Sequence, residues 1–279
     1  MLFAVLMLVL ALAQPRWGLA WEEIRRDGVD LIIALDVSDS MLVQDVQNKG
    51  HLSRLEQAKR EIVDLLRIVD GDRVGLVAFA GAAFVQCPLT LDYNAAAVFL
   101  DDLNTDLIAV KGTALAEGIR TALTAMAGAE HGSQAIILIT DGEDHGGEVA
   151  AAAQQAAEQH VRIFPIGIGR DEGAPIPKPD GGFVRDAQGN LVLSRLDEPT
   201  LQAIANTTGG IYSRSVAGEM DLERLYRRGI RAMLKSKRGA ARRRQHFEER
   251  FVYFVGLAAL ALMLEALLPS DPRRRTTPP

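Results

Sequence analysis

The sequence predicts an α/β protein: a doubly wound, mostly parallel sheet flanked by helices, with terminal transmembrane helices. Three observations carry that expectation. From about Val29 to Ser215, short apolar runs alternate with helical stretches. Several runs are apolar almost without alternation, Leu31-Ile32-Ile33-Ala34-Leu35 and Ile136-Ile137-Leu138-Ile139 among them, as strands covered by helices on both faces must be. The two ends of the 279-residue chain differ from its middle.

The chain opens on twelve apolar residues, Leu2 to Ala13, stopped by Gln14-Pro15-Arg16. Residues 1–15 are read as an N-terminal membrane segment, short for a span and lacking the basic start of a signal peptide; a cleaved signal and a core segment are the alternatives. Residues 16–28 read as a linker. Strands are expected at Val29 to Val37, Arg73 to Ala80, Ala135 to Thr140 and Val161 to Gly169, with a weaker one at Gly210 to Ser213. Between the first two, Ser53-Arg54-Leu55-Glu56 is a capping box, and Leu55, Ala58, Ile62, Val63 and Leu66 follow at helical spacing until Asp70-Gly71-Asp72. Further helices are placed at about 92–103, 113–128, 147–159, 197–207 and 219–236. Residues 173–194 interrupt the pattern with three prolines and read as a surface hairpin pairing Gly182-Phe183-Val184 with Leu191-Val192-Leu193. The α/β domain thus covers 29–234.

Beyond it, 235–250 is a basic juxtamembrane segment able to meet anionic headgroups, 251–268 a transmembrane helix and 269–279 a basic tail. Phe251 to Leu268 holds one charge in eighteen residues, Glu265, and about 1.5 Å of rise per residue brings it to roughly 27 Å, close to the hydrocarbon thickness. If both ends insert, the domain lies on one side of the membrane and the termini on the other. Which side stays open, because loops beyond about 60 residues translocate largely regardless of charge.

Charge and composition exclude whole classes. The net charge is −5, yet it is segregated: +6 from Lys235 onward and −11 before it. An acidic body argues against nucleic acid, whose phosphates need a basic face. A hydrophobic fraction of 48% with 24% charged residues excludes disorder. Cys87 is the sole cysteine and reads as a small buried hydrophobe, with no disulfide or Cys-rich zinc site available. The five histidines are scattered without an H-x-x-x-H pair, so a histidine metal site is not expected.

The chemistry gathers at the strand ends. The first strand closes on Asp36-Val37-Ser38-Asp39-Ser40, where open α/β sheets bind ligands, and alternation points Asp36, Ser38 and Ser40 the same way. The strand at 135–140 runs into Thr140-Asp141-Gly142-Glu143-Asp144, and Lys111-Gly112-Thr113 opens a helix between them. Asp36, Ser38, Ser40, Thr113 and the acidic cluster opened by Asp141 can bring oxygens to one edge of the sheet as candidate metal ligands. Carboxylate and hydroxyl oxygens are hard donors suited to Mg²⁺, with Mn²⁺ or Ca²⁺ as alternatives, and poorly suited to zinc. Glu143 and Asp144 are read as tuning the local field or a partner contact, Asp39 as a neighbour of the ion that does not ligate it, and His145 as a solvated loop residue.

D-x-S-x-S, a later Gly-Thr before a helix and a strand ending T-D-G together resemble von Willebrand factor A (VWA) domains. The resemblance implies a metal-ion-dependent adhesion site, or MIDAS, on those same five residues, in which a partner protein's carboxylate completes the ion's shell. Ser53-Arg54-Leu55-Glu56-Gln57-Ala58-Lys59, the run Gly71 to Gly81, Phe84 to Thr90, Thr140 to His145 and the final apolar span are similar to the bacterial Bat aerotolerance group (BatA/BatB-like). That likeness implies a bacterial inner-membrane protein with one or two spans. It also implies partners among other Bat-type VWA membrane proteins and a MoxR-type AAA+ ATPase, in an envelope or oxidative-stress complex.

An enzyme is the rival class. Mg²⁺-dependent phosphatases of the haloacid dehalogenase type also start from an aspartate at a strand end, but need a second aspartate where this chain has Ser38. There is no G-x-x-x-x-G-K-[ST], and Gly167-Ile168-Gly169 lacks a third fingerprint glycine. A subunit of an ion-conducting complex is the other alternative, weakened by one glutamate in two apolar segments.

Overall fold

The computed structural model describes residues 2–13, 16–23, 28–45, 52–127, 133–178, 181–215, 222–232, 243–249 and 251–267. The chain divides into two compact units, 26–239 and the paired terminal regions.

In the central unit, β2 (Val29–Asp36), β3 (Arg73–Phe79), β4 (Ala83–Thr90), β5 (Ser133–Thr140), β6 (Arg162–Gly167) and β9 (Ser213–Arg214) form one sheet in the order β4-β3-β2-β5-β6-β9. Every pairing is parallel except β3 with β4. The alternation of β2 sorts its side chains between two layers. Leu31, Ile33 and Leu35 pack with α2 (Arg54–Ile68), α3 (Tyr93–Asp101) and a helix that begins as α7 (Leu222–Arg224) and continues as a π-helical stretch, Leu225–Ile230. Ile32 and Ala34 pack with α4 (Leu115–Ala125), α5 (Val149–Glu158) and α6 (Glu198–Thr208). Every residue of β2 is buried, which accounts for its unbroken apolar run.

The helix starts follow local chemistry. Ser53 accepts from Glu56 N while Glu56 accepts from Ser53 N, completing the expected capping box of α2. Asp92 caps α3 and Asp197 caps α6, their side chains accepting from Ala95 N and Thr200 N. The far end of the unit is fastened by Asp72, fully buried, which accepts from Val29 N at 2.7 Å and from the Tyr226 hydroxyl. Tyr226→Phe removes a donor to a buried carboxylate, so a loss of about 1.5–3 kcal/mol in urea unfolding is expected; no loss would mean that Asp72 is held without it.

Two features depart from the sequence reading. A strand was not expected at 83–90, yet β4 forms the antiparallel edge of the sheet, where Pro88 is tolerated because an edge strand has one side free of ladder bonds. The segments read as linker and juxtamembrane stretch contain β1 (Arg16–Glu23) and β10 (Arg243–Glu249), which pair antiparallel. The hairpin at 173–194 has only two short strands, β7 (Ala174–Pro175) and β8 (Leu193–Ser194), with bridges Pro177 to Phe183 and Arg185 to Leu191 inside them. The expected helix over 219–236 is described only within 222–232.

In the terminal unit α1 (Leu2–Leu12) contacts α8 (Phe251–Leu267), and Ala11 and Ala258 are buried there. Most of the large apolar side chains described on both helices are exposed, Leu12 at 86% and Met263 at 71%. At 17 residues α8 covers about 26 Å. Among the described residues no helix is long and apolar enough to cross a membrane. Residue 268 and the tail expected at 269–279 lie outside the described residues.

Candidate functional site

From β2 the sheet order steps one way through β3 to β4 and the other way through β5 and β6 to β9, so the winding reverses between β2 and β5. Crevices of this kind, at the carboxyl ends of the strands, are where doubly wound sheets hold ligands. Asp36 ends β2 and Asp141 follows β5, one on each side of the reversal, and both are fully buried.

After Asp36 the chain turns through a short 3₁₀ segment, Asp39–Leu42. Asp36 Oδ1 accepts from Ser38 N at 2.9 Å, and the hydroxyls of Ser38 and Ser40 lie 2.9 Å apart. Across the crevice, Thr140 Oγ1 donates to Asp36 Oδ2 at 2.7 Å and accepts from Gly142 N at 3.0 Å. Gly142 adopts φ +84°, and a Cβ there would stand 2.8 Å from Asp197 O, so the turn after Asp141 requires glycine.

Thr113 is buried and held by its backbone neighbours: Ala114 N donates to Ala80 O at 2.7 Å and His145 N to Thr113 O at 2.8 Å. Lys111 Nζ reaches Asp39 Oδ1 at 2.8 Å, which ties this loop to the serine turn. Asp144 Oδ1 accepts from Leu115 N at 2.9 Å, at the start of α4. Asp36, Ser38 and Ser40 are thus linked to one another by hydrogen bonds, Asp141 stands across the reversal, and the Thr113 loop is tied to the serine turn through Lys111 and Asp39.

The electrostatics are unbalanced. Burial, and then repulsion from Asp141, pushes the Asp36 carboxyl up to about 7 against the opposing hydrogen bonds of Thr140 and Ser38. Burial also raises Glu143, with the Asp141 charge adding to it. Asp141 has a counter-charge that the sequence reading missed. Arg54, fully buried, places Nη1 3.1 Å from Asp141 Oδ2 and 2.6 Å from Ser194 Oγ, while Nε and Nη2 grip Asp45 at 2.9 and 2.6 Å. Burial alone would raise the Asp45 carboxyl, but the hydrogen bonds and charge of Arg54 outweigh it and hold it below the usual range. Gly169, at φ +129°, leaves room for the guanidinium: a Cβ there would lie 2.7 Å from Arg54 Nη2. A signal was available, since a cation at the first position of a helix opposes the macrodipole unless something else holds it.

The donor set fits a hard divalent ion. Neighbouring oxygens around an octahedral ion with bonds of about 2.1 Å stand roughly 3 Å apart, close to the Ser38–Ser40 separation. No three His, Cys, Asp or Glu side chains converge on a metal position among the described residues. The candidate set carries only two carboxylates, the rest of its oxygens being hydroxyls.

The chain belongs to the von Willebrand factor type A domain family, whose model matches residues 30–223. Domains of this kind are typically metal-dependent protein-interaction modules that commonly bind a divalent cation. Within the family the chain is Bat-like. It is similar to the crystal structure of BatB, a conserved hypothetical protein from Bacteroides thetaiotaomicron, with 44% identity, a TM-score of 0.69, and 75% of this chain and all of that one covered. An aerotolerance-related membrane protein from Bacteroides fragilis follows at 40% identity and TM-score 0.68, with 74% of this chain and all of that one covered. An uncharacterized protein of Borreliella burgdorferi is 30% identical over 213 residues, which cover 75% of this chain and only 60% of that protein's length.

Proposed function

We propose that the chain is a membrane-anchored, non-enzymatic interaction protein whose MIDAS, formed by Asp36, Ser38, Ser40, Thr113 and Asp141, binds a divalent cation, Mg²⁺ foremost, and through it a carboxylate of a partner protein. What supports this reading is that Asp36, with the Ser38–Ser40 hydroxyl pair, and Asp141 stand on the two sides of the sheet's reversal point, near enough for the Asp141 charge to raise the Asp36 carboxyl. Asp45 and Asp141 are buried against the guanidinium of Arg54, while Asp36 is buried among hydrogen-bond donors alone, so the carboxylates at the strand ends carry excess negative charge that a divalent ion offsets. An ion bound mainly by neutral hydroxyls stays electrophilic, so an incoming Glu or Asp gains more than at a carboxylate-saturated site.

Membrane anchoring is supported by the exposed apolar surface of α1 and α8, far more than an aqueous helix pair leaves uncovered, and by the membrane description of the Bacteroides fragilis neighbour. Partners among Bat-type VWA membrane proteins and a MoxR-type AAA+ ATPase, at the bacterial inner membrane, follow from the Bat resemblance.

Full-length protein in detergent tests the reading. Mg²⁺ or Mn²⁺ is expected to raise the melting temperature reversibly to EDTA, and cation-dependent crosslinks in native membranes to vanish in Ser38→Ala/Ser40→Ala. A melting curve indifferent to both ions, or crosslinks that survive the double substitution, would remove the MIDAS mechanism. Phosphatase turnover with Mg²⁺, lost in Asp36→Ala, would put an enzyme in its place.

A further inference from the structure

One oxygen of Asp141 is already committed. Oδ2 accepts from Ser194 Oγ at 2.8 Å and from Arg54 Nη1 at 3.1 Å, and those two donors touch each other at 2.6 Å. All three side chains are fully buried. Oδ1 keeps only a long contact from Glu143 N, at 3.3 Å. Asp36 is similarly divided, with one donor on each oxygen. An oxygen holding two buried donors has no lone pair left to offer, so Asp141 cannot turn both oxygens to one ion unless the Arg54–Ser194 clamp opens. The clamp is itself fixed, by the two bonds from Arg54 to Asp45 and by Arg170, whose N and Nε reach Asp45 Oδ2 and O at 3.2 and 2.8 Å.

We propose that Arg54 and Ser194 are positioning residues that restrict Asp141 to one available oxygen and thereby set the cation preference of the site, favouring a small octahedral ion over calcium. This rests on the metal-binding reading above. Ca²⁺ takes about six to eight oxygens and often draws both from one carboxylate, whereas Mg²⁺ takes six and retains water readily. Three hydroxyls and two carboxylates with committed oxygens serve the second ion better than the first. The planar fork of arginine is needed because it holds Asp45 with two nitrogens while a third reaches Asp141, which a lysine ammonium cannot reproduce.

Mg²⁺ and Ca²⁺ titrated separately into the full-length protein, with thermal shift giving an apparent dissociation constant for each, test this. Wild type is expected to prefer Mg²⁺, and Ser194→Ala to cut the ratio of the two affinities about tenfold, the low end of the effect seen when groups orienting a metal ligand are removed. Ser194→Thr, which keeps the hydroxyl, is expected to restore it. A contribution to stability alone would move both constants together, so an unchanged ratio in Ser194→Ala overturns the inference. Arg54→Lys is read by the same ratio; if it does not fold, Ser194→Ala decides, since it leaves the Arg54–Asp45 pair in place. A wild type that binds both ions without preference defeats this inference alone, whereas one that binds neither defeats the metal-binding reading as well.

Discussion

Arg54→Met is expected to lower stability by about 3–5 kcal/mol, because it leaves two buried carboxylates, Asp45 and Asp141, without their cation. For a domain of this size that corresponds to a fall on the order of 10 °C in melting temperature. The effect comes from desolvation: methionine fills much of the same volume, so packing changes little while Asp45 loses two donors and Asp141 one. Adding Asp45→Asn to Arg54→Met removes one of the stranded charges and is expected to recover part of the loss. A single substitution costing under about 1 kcal/mol would show that water reaches these carboxylates.

Asp36→Asn has the opposite sign and nearly the same size. Asp36 is an acid whose folded pKa lies at about 7, above its usual 3.8, so ionising it opposes folding. That penalty is absent below about pH 4, grows through the interval and is complete above 7. With EDTA at pH 8, Asp36→Asn is therefore expected to gain about 2–4 kcal/mol, and the gain to shrink toward zero near pH 4. With Mg²⁺ or Mn²⁺ the order reverses, because the wild-type carboxylate is stabilised by the ion and the amide is not. Chemical denaturation at both pH values, with and without the ion, checks each part. A destabilised Asp36→Asn in EDTA at pH 8 contradicts the charge imbalance at the site.

The candidate ligands were legible because their signals are local. Asp36, Ser38 and Ser40 sit within five residues of a strand end, and Asp141 follows another strand whose apolar run is unmistakable. Arg54 was not legible in the same way: its partners Asp45, Asp141 and Ser194 lie 9, 87 and 140 residues away, and only the folded sheet brings them together. Nearby, Ser53 and Glu56 gave a capping-box reading that was correct and complete in itself, and it masked the one local cue, a cation at the first position of the helix. β4 escaped because half-exposed edge positions and Pro88 blur its period, whereas the short β8 and β9 overlap the ends of expected strands, Leu191 to Leu193 and Gly210 to Ser213. β1 and β10 were read by their charge, which says nothing of a partner more than 200 residues away.

That last pairing has a consequence for biosynthesis. Arg16 is matched with Glu249, so β1 leaves the ribosome well before the strand that completes it. At about 5–20 residues per second the interval is roughly 10–50 s, during which Trp17, Leu19 and Trp21 belong to a strand without its mate. A polypeptide terminated before Arg243 therefore never acquires that pairing and keeps an unpaired strand edge, a template for association with other chains.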